Sequence, residues 1–199
     1  MLSYSTHNVG KMAVNAYILW DSKQKDAIVI DPGAEPDAIR LALRGKNLKA
    51  ILLTHGHVDH IGAVSALREN GVPVYIHKKD ADMLTNPNLS LAAMFGKPES
   101  QGEADFDLAE GVLGLCGLTI SMLHTPGHTP GSVCFLVDNV LFSGDTLFEG
   151  GVGRTDLPGG DDSALKASVS RLIHLDPDII VCPGHGLPTT VRAERRYYR

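Results

Sequence analysis

Four side chains of the kinds that bind metal ions lie within six consecutive residues of this chain. They are the imidazoles of His55, His57 and His60 and the carboxylate of Asp59. An apolar run at residues 51–53 comes directly before them and predicts a buried strand. We therefore expect these side chains on a loop that leaves a strand end, which is where open α/β sheets place their sites.

The spacing of these four side chains predicts two ions. His55 and His57 are two residues apart, so on an extended backbone they share a face and can bind one ion. Asp59 and His60 follow one turn later and point elsewhere, towards a second ion. A solvated histidine-rich loop is the alternative interpretation. The apolar strand before the motif and the two glycines within it argue against that alternative.

Three later residues each follow a predicted strand in the same way. They are His128 in TPGHTPG, Asp145 in LFSGDT and His185 in CPGHG. We expect the strand ends to bring all the candidates to one rim of a sandwich. The predicted sets are His55, His57 and His128 for one ion and Asp59, His60 and His185 for the other, with Asp145 bridging them.

The ligand types restrict the metal. Imidazole and carboxylate without thiolate suit Zn²⁺, Mn²⁺ or Fe²⁺, and we expect two divalent ions, with zinc favoured over iron and manganese. Paired ions lie roughly 3.5–4 Å apart and share a water whose pKa falls from about 16 towards 7. The pattern therefore predicts a hydroxide nucleophile at neutral pH without a separate base.

Composition excludes several other classes of function. The chain has 199 residues, 43% of them hydrophobic, so we expect residues 1–199 to form a single domain with a substantial core. The net charge of −5 argues against nucleic acid or a membrane surface as a partner. Three cysteines without CxxC spacing, and no signal-peptide pattern, favour the cytoplasm. The sequence does not indicate an oligomeric state.

The order of predicted elements favours an α/β fold with two sheets face to face and helices outside. Strands are predicted at 2–9, 13–20, 27–30, 49–53, 73–77, 115–123, 132–137, 140–142 and 178–182, and helices at 36–44, 63–70 and 163–174. Residues 80–95 are expected to be helical with a break. We interpret 96–111 as a surface loop, 148–160 as a glycine-rich loop, and the four arginines after residue 190 as a solvated tail.

The motifs THGHVDH, TPGHTPGS, FSGDTLF and CPGHG, in this order, resemble the metallo-β-lactamase superfamily. The glyoxalase II-like (hydroxyacylglutathione hydrolase-like) branch is the most similar, and the resemblance extends from the opening strands to Thr190. It implies an αββα sandwich of two mixed β-sheets flanked by helices, and the ligand sets given above. It also implies a hydrolase that cleaves a small-molecule acyl thioester by attack of a metal-bridging hydroxide, with Asp59 and Asp145 taking part in catalysis.

Three further residues match the branch. Asp31, in IDPG, corresponds to a carboxylate that in the family usually lies beneath the metal ligands, and a plain turn residue is the other interpretation. Arg154 and Asp156, in GRTD, match a loop of the same branch, where we favour a structural ion pair over a contact with substrate. His124 matches no ligand position, and we interpret it as a core residue or one that touches substrate.

Departures from the family narrow the expected activity. True β-lactamases of this fold lack an aspartate corresponding to Asp145, and flavodiiron relatives carry glutamate where this chain has His57. Nucleic-acid-processing relatives insert a further domain. Glyoxalase II has a helical extension that contacts glutathione, and few residues follow His185 here, so glutathione contacts of that kind are not expected.

Two other functions remain as hypotheses. Persulfide dioxygenases of this superfamily bind one Fe²⁺ through residues that match His55, His128 and Asp145, and GRTD occurs in that branch as well. CPGHG favours the hydrolase. A metal-dependent binding module without catalysis is the third hypothesis, and the complete set of ligands argues against it.

Overall fold

The computed structural model describes residues 1–69, 71–96 and 99–198, whose strands form two six-stranded sheets and one small hairpin. The first sheet contains β1 (Leu2–Val9), β2 (Val14–Asp21), β3 (Asp26–Ile30), β4 (Asn47–Leu52), β5 (Val74–His77) and β6 (Phe106–Leu108), in that order. The second runs from its edge in the order β14 (Thr189–Thr190), β13 (Ile180–Pro183), β10 (Val140–Gly144), β9 (Val133–Val137), β8 (Leu118–His124) and β7 (Gly111–Leu115). The hairpin pairs β11 (Leu147–Phe148) with β12 (Gly151–Val152).

Both sheets are mixed. In the first sheet β1, β2 and β3 pair antiparallel, whereas β3 to β6 run parallel. In the second sheet β10 and β13 run parallel, and the other neighbours pair antiparallel. Parallel strands place their carboxyl ends together at one edge of a sheet. The loops that follow β4, β10 and β13 can therefore meet.

The core between the sheets follows from alternation along the strands. Tyr17 and Leu19 face the second sheet, whereas Ile18 between them faces outwards to the helices. Phe142 lies at the centre of this inner layer with none of its surface exposed to solvent. The rings of Tyr4 and Tyr17 meet its ring edge-on, with centroids 5.6 and 5.0 Å away.

Helices cover the two outer faces and complete an αββα sandwich, as predicted. The five helices of the described residues are α1 (Pro36–Ala42), α2 (Val58–Ile61), α3 (Val64–Leu67), α4 (Asp162–Ile173) and α5 (Val191–Glu194). Ile39, Ile61 and Val64 bury their side chains against the first sheet, and Leu165 and Val169 against the second. No helix in these parts of the chain combines the length and apolarity needed to cross a membrane.

The predicted loop at 96–111 is wrong at its end, because it contains β6. Phe106 stacks on Tyr75 with ring centroids 4.7 Å apart, and Leu108 is buried between the sheets. Residues 97 and 98 of that prediction lie outside the described residues. The strand predicted at 115–123 is β8 from residue 118 onwards, whereas residue 115 ends β7, which forms a hairpin with β8. Cys116 and Gly117 turn the chain there with positive φ, at 52° and 74°.

Helical residues begin earlier than predicted in the first ligand motif. The helix predicted at 63–70 is two short helices, and α2 already contains Asp59 and His60. Residue 70 lies outside the described part. The predicted loop at 148–160 contains β12 and the end of β11. Only two 3₁₀ helices, Ala81–Leu84 and Ala92–Phe95, occur where residues 80–95 were expected to be helical.

The interpretation of the arginine-rich end as a solvated tail fits the exposed Arg192 and Arg196 but is wrong for Arg195. Arg195 donates to the carbonyl oxygens of Ile173 and Leu175, over 2.7 and 2.9 Å, at the end of α4. The buried carboxylate of Glu194 accepts hydrogen bonds from Gly150 N and from the hydroxyl of Thr189. The last described residues are thus tied to α4 and to the turn between β11 and β12. Residue 199 lies outside this description.

We expect Phe142→Ala to lower the free energy of unfolding by about 3–5 kcal/mol, because the large ring leaves a cavity between two rigid sheets. Val112→Ala is the control, since Val112 is 73% exposed on β7 and its truncation is expected to cost no more than about 0.5 kcal/mol. Urea unfolding at matched metal content measures both values. Equal losses in the two variants would contradict this account of the core.

Candidate metal centre

The structure brings all seven candidate ligands together at the edge where the carboxyl ends of the strands meet. Three groups of ligand atoms lie within 4.8 Å of one another: His55, His57 and His128; His55, His60 and Asp145; and Asp59, His60 and His185. The first group comes from the loop after β4 and the loop after β8. The other two groups add the loops after β10 and β13. The placement agrees with the sets that the sequence suggested.

Backbone hydrogen bonds hold the four loops against one another. Val133 N donates to Thr54 O over 2.8 Å and joins the first sheet to the second beside His55. Gly184 N donates to Gly144 O over 2.8 Å, next to Asp145. Asn15 N donates to Gly184 O over 2.7 Å, so β2 also contacts the last loop. The convergence of the ligands therefore rests on the main chain and not on side chains alone.

A change of backbone conformation separates the first two ligands from the next two. His57 is extended, with φ −69° and ψ 148°, and α2 begins at Val58. The turn of helix carries Asp59 and His60 towards the second group. Gly33 packs under this turn so closely that a Cβ atom there would lie 1.4 Å from Asp59 O. The short helix and the neighbouring glycine thus set the direction of Asp59.

The distances within the centre are those of groups that could share cations. His57 Nδ1 lies 2.9 Å from His128 Nε2. Asp59 Oδ2 lies 3.1 Å from His185 Nε2 and 3.7 Å from His60 Nε2. Asp145 lies between the groups, with Oδ1 3.3 Å from His60 Nε2 and Oδ2 3.6 Å from His128 Nε2. Its two oxygens therefore face both halves of the centre.

Hydrogen bonds to the outer nitrogens orient the rings. The Nδ1 atom of His128 lies 2.7 Å from Arg154 O, and that of His185 lies 3.1 Å from Met12 O. A carbonyl oxygen only accepts, so each Nδ1 carries the proton and each Nε2 offers its lone pair to the centre.

Asp31 orients two further rings from beneath the centre. Its carboxylate accepts from Thr54 N over 2.8 Å, from the Thr54 hydroxyl over 2.6 Å and from His60 Nδ1 over 2.9 Å. The Thr54 hydroxyl oxygen in turn lies 3.1 Å from His55 Nδ1 and accepts a hydrogen bond from the N–H group there. Of the two interpretations of Asp31, the structure supports the residue beneath the ligands, although the residue also has the positive φ of a turn, 50°.

Several atoms of the centre are buried and lack a hydrogen-bond partner within the described residues. They are Nε2 of His55, Nε2 of His57, Nε2 of His60 and Oδ1 of Asp145. Burying a polar atom without a partner costs about 1–3 kcal/mol, and such atoms are rare in folded proteins. Three of them, from His55, His60 and Asp145, belong to one ligand group. Divalent cations fit this donor set, because each ion accepts lone pairs from several converging atoms at once.

The pKa values of His55 and His57, in one ligand group, shift in the opposite direction to that of His60 in the other. Burial lowers the pKa of His55 well below its usual value and that of His57 to about 3, and the neighbouring imidazoles add to the effect. Burial acts in the same direction on His60, but the carboxylates of Asp145, Asp59 and Asp31 outweigh it and raise its pKa well above the usual value. His55 and His57 therefore present neutral imidazoles at pH 7. A metal ion bound at His60 would replace a proton.

Asp80 is a buried residue beside the centre that the sequence did not reveal. Its side chain is fully buried and accepts from Gly56 N over 3.2 Å, from the Thr129 hydroxyl over 2.6 Å and from Gly131 N over 2.7 Å. Burial raises its pKa, and these hydrogen bonds oppose the increase. Gly56 separates the first two histidines, and Thr129 follows His128. Asp80 thus connects the two loops of the three-histidine group.

The last ligand loop has supports of its own. Asn15 Nδ2 donates to Pro183 O and Gly186 O, both over 3.0 Å, and the Tyr17 hydroxyl donates to Pro183 O over 2.6 Å. A Cβ atom on Gly184 would lie 2.3 Å from Asp145 Oδ1, so glycine is required beneath that carboxylate. Gly184, the first glycine of CPGHG, was the only signal in the sequence for this close contact.

The remaining candidates lie around the centre rather than in it. Arg154 forms an ion pair with Asp156, with Nε 2.6 Å from Oδ1, and both side chains are largely exposed. Arg154 also lines the cleft above the ligands, which Asp156 does not. The ring of His124 stacks on His77 with centroids 4.3 Å apart, and its Nε2 lies 3.0 Å from Pro130 O. His124 is thus held by packing and lies outside the cleft lining.

Comparison with known sequences identifies relatives over nearly the whole chain. A family profile described as the metallo-beta-lactamase superfamily matches residues 9–185. The chain is 39% identical to hydroxyacylglutathione hydrolase GloC of Haemophilus influenzae, over 92% of this chain and 90% of that protein. All seven candidate ligands lie within the matched range.

Solved structures resemble the whole fold. BLEG-1, described as a B3 metallo-beta-lactamase, has a TM-score of 0.92 at 40% identity and covers 98% of this chain and 97% of its own. TTHA1623, solved in a di-iron-bound form, has a TM-score of 0.86 at 40% identity, with coverages of 96% and 97%. ETHE1 from Myxococcus xanthus has a TM-score of 0.80 at 27% identity, with coverages of 98% and 83%.

We expect Asp80→Asn to weaken metal binding by roughly 10–100-fold, the range typical of residues that support metal ligands from outside, because Asp80 holds the two loops that carry His55, His57 and His128. The amide nitrogen would face a backbone N–H or the Thr129 hydroxyl, so one of the two loops would shift. Competition with a chromogenic chelator at pH 7 measures the affinity. Asp82→Asn, an exposed carboxylate on the adjacent 3₁₀ helix, is the matched control. Equal affinities in both variants would contradict the role given to Asp80.

Proposed function

Because this chain belongs to the metallo-β-lactamase superfamily, we propose that it is a dinuclear metal-dependent hydrolase that cleaves thioesters to an acid and a thiol. The observation that carries the proposal is the pair of complete three-residue groups with Asp145 between them. Two ions, one per group, use every one of the seven side chains. The 39% identity to a hydroxyacylglutathione hydrolase supports the thioester as the substrate class.

The proposed ligands are His55, His57 and His128 for one ion and Asp59, His60 and His185 for the other, with Asp145 shared. Zinc is our first choice for this imidazole and carboxylate set, and iron or manganese suits the same ligands. The di-iron form of TTHA1623 supports iron as the alternative. A pair of such ions supplies a hydroxide nucleophile at neutral pH and polarises a carbonyl oxygen.

Residues of the protein hold the ligand side chains in place and set the charge of the centre. Asp31 and Asp80 fix the ligand rings and loops from outside, so the donor atoms need little reorganisation. Asp59 and Asp145 are our candidate catalytic residues, because their side chains line the cleft and form part of its floor. Burial acts to raise the pKa of Asp145, but the facing imidazoles together outweigh it and lower the pKa, which keeps that carboxylate ionised. A thiol leaving group suits such a site, since its pKa of about 8.5 lets it leave as the thiolate.

We propose a small-molecule acyl thiol as substrate, with neither nucleic acid nor a membrane as partner. The net charge of −5 supports this view. The three cysteines are free, and two of them are buried, which supports the cytoplasm as the compartment.

Metal-loaded protein is expected to hydrolyse S-lactoyl and simple acyl thioesters, and removal of the metal by a chelator is expected to abolish turnover. Asp145→Asn should lower kcat/KM by more than the roughly 10–100-fold typical of an outer contact, because the residue faces both metal groups. Release of free thiol, followed with a disulfide reagent, measures the rate.

Asp37→Asn, an exposed carboxylate on α1, is the control and should retain full activity. A loaded protein that leaves every thioester intact but opens β-lactam rings would overturn the thioesterase proposal and favour the activity named for BLEG-1.

A second candidate is the oxidation of a persulfide at a single Fe²⁺ held by His55, His128 and Asp145. The similarity to ETHE1 and the GRTD sequence at residues 153–156 favour it. The two candidates differ in metal content and in oxygen use. One iron per chain with oxygen uptake on glutathione persulfide would favour the dioxygenase, and two metal ions with thioester cleavage would favour the hydrolase.

A further inference from the structure

Apolar side chains that are exposed to solvent gather above the metal centre. Within the described residues, four of the exposed large apolar side chains line the same cleft as the ligands: Met12 at 39% exposure, Met94 at 77%, Phe95 at 53% and Val152 at 37%. They come from three separate segments, namely the β1–β2 turn, the second 3₁₀ helix and β12. A contiguous exposed apolar surface of this kind marks a binding site.

The cleft combines these apolar walls with a polar floor. Its volume is about 650 Å³, and the less exposed Leu91, Phe148 and Leu157 extend the apolar wall. The floor consists of ligand side chains: His57, Asp59, His128, Asp145 and His185. Binding sites for small molecules have this composition, with apolar walls and a few convergent polar groups. A ligand that fits it has an apolar arm attached to a polar reacting centre.

A second cavity continues from the cleft and has a different character. It has a volume of about 530 Å³ and shares Met12, Val58, Asp59 and Phe95 with the first. Lys11 and Glu35 contribute charged groups of both signs to its wall. These charges suit a polar thiol carrier, which leaves the apolar walls of the first cleft for the acyl arm.

We propose that the cleft lined by Met12, Met94, Phe95 and Val152 binds an unbranched apolar acyl chain of medium length, longer than the lactoyl or acetyl group. This inference rests on the proposed thioester hydrolysis and specifies its substrate. Two of the four side chains are methionines, whose flexible thioethers adapt to chains of different length. Leu91 and Phe148 then complete the inner wall around the part of the chain nearest the carbonyl group.

The test uses metal-loaded protein and N-acetylcysteamine thioesters of acetyl, butanoyl, hexanoyl and octanoyl groups. We expect kcat/KM to rise at least tenfold from acetyl to hexanoyl, which adds four methylene groups. Full burial of each methylene would give roughly fourfold per group, or about 250-fold in total, so the expected gain corresponds to partial burial. Acetyl thioesters of alkanethiols of increasing length form the counter-series and should show no such gain. A gain confined to the thiol series, or the absence of a gain in both, overturns the proposal.

Matched variants locate the effect in the cleft. Met94→Gln keeps the length of the side chain and is expected to lower the octanoyl-to-acetyl ratio of kcat/KM at least threefold. Leu41→Gln is the control, since Leu41 is 54% exposed on α1, away from the cleft, and the ratio should stay unchanged. An equal ratio in Met94→Gln and the unmodified protein overturns the assignment of Met94.

Binding of free carboxylic acids separates this inference from the proposed function. Octanoate is expected to bind metal-loaded protein more tightly than acetate in calorimetry, and Met94→Gln should weaken the binding of octanoate. If this result holds while no thioester is cleaved, the apolar subsite stands and the thioesterase proposal fails. If the acetyl thioester is cleaved but octanoate binds no better than acetate, the subsite is overturned and the hydrolase stands.

Discussion

Buried nitrogen and oxygen atoms that lack hydrogen-bond partners within the described residues are the constraint on which the rest of this centre depends. Nitrogen and oxygen atoms of His55, His60 and Asp145 converge at the edge of two sheets, where water and protein partners are largely excluded. Cations compensate such a cluster at the lowest cost, because one ion satisfies several lone pairs. The surrounding hydrogen bonds serve the same end. Asp31, Asp80 and the carbonyl groups of Met12 and Arg154 fix the orientation of the rings around that unfavourable cluster.

The centre also depends on contacts between distant parts of the chain. β2 donates from Asn15 and Tyr17 to the loop of His185, more than 160 residues further on. Thr54 and Val133 connect the sheets at the same edge. The donor sets therefore cannot assemble before both sheets have packed. Folding of the sandwich and formation of the centre are parts of one process, and bound cations would stabilise the folded state through mass action.

The convergence of the seven candidate ligands could be predicted from sequence, because each comes after an apolar strand and has a side chain with few other uses at such a position. The sandwich could be predicted from the alternation of strands and helices. Asp80 could not, because a lone aspartate after β5 carries no local sign of the two loops that it joins. The boundaries of several strands and helices could not be predicted either. β6 depends on the stacking of Phe106 on Tyr75, and α2 begins inside the ligand motif, and neither feature follows from local propensity.

The attachment of Glu194 to Gly150 has a consequence for how this protein can diversify. One wall of the cleft, the β11–β12 hairpin, is held by a carboxylate on α5, beyond all seven proposed ligands in the chain. Mutations near the C-terminus can thus reshape the cleft while the reactive groups stay intact. Natural variation in α5 could therefore change the shape of this wall, and with it the choice of substrate, without replacing any of the seven side chains.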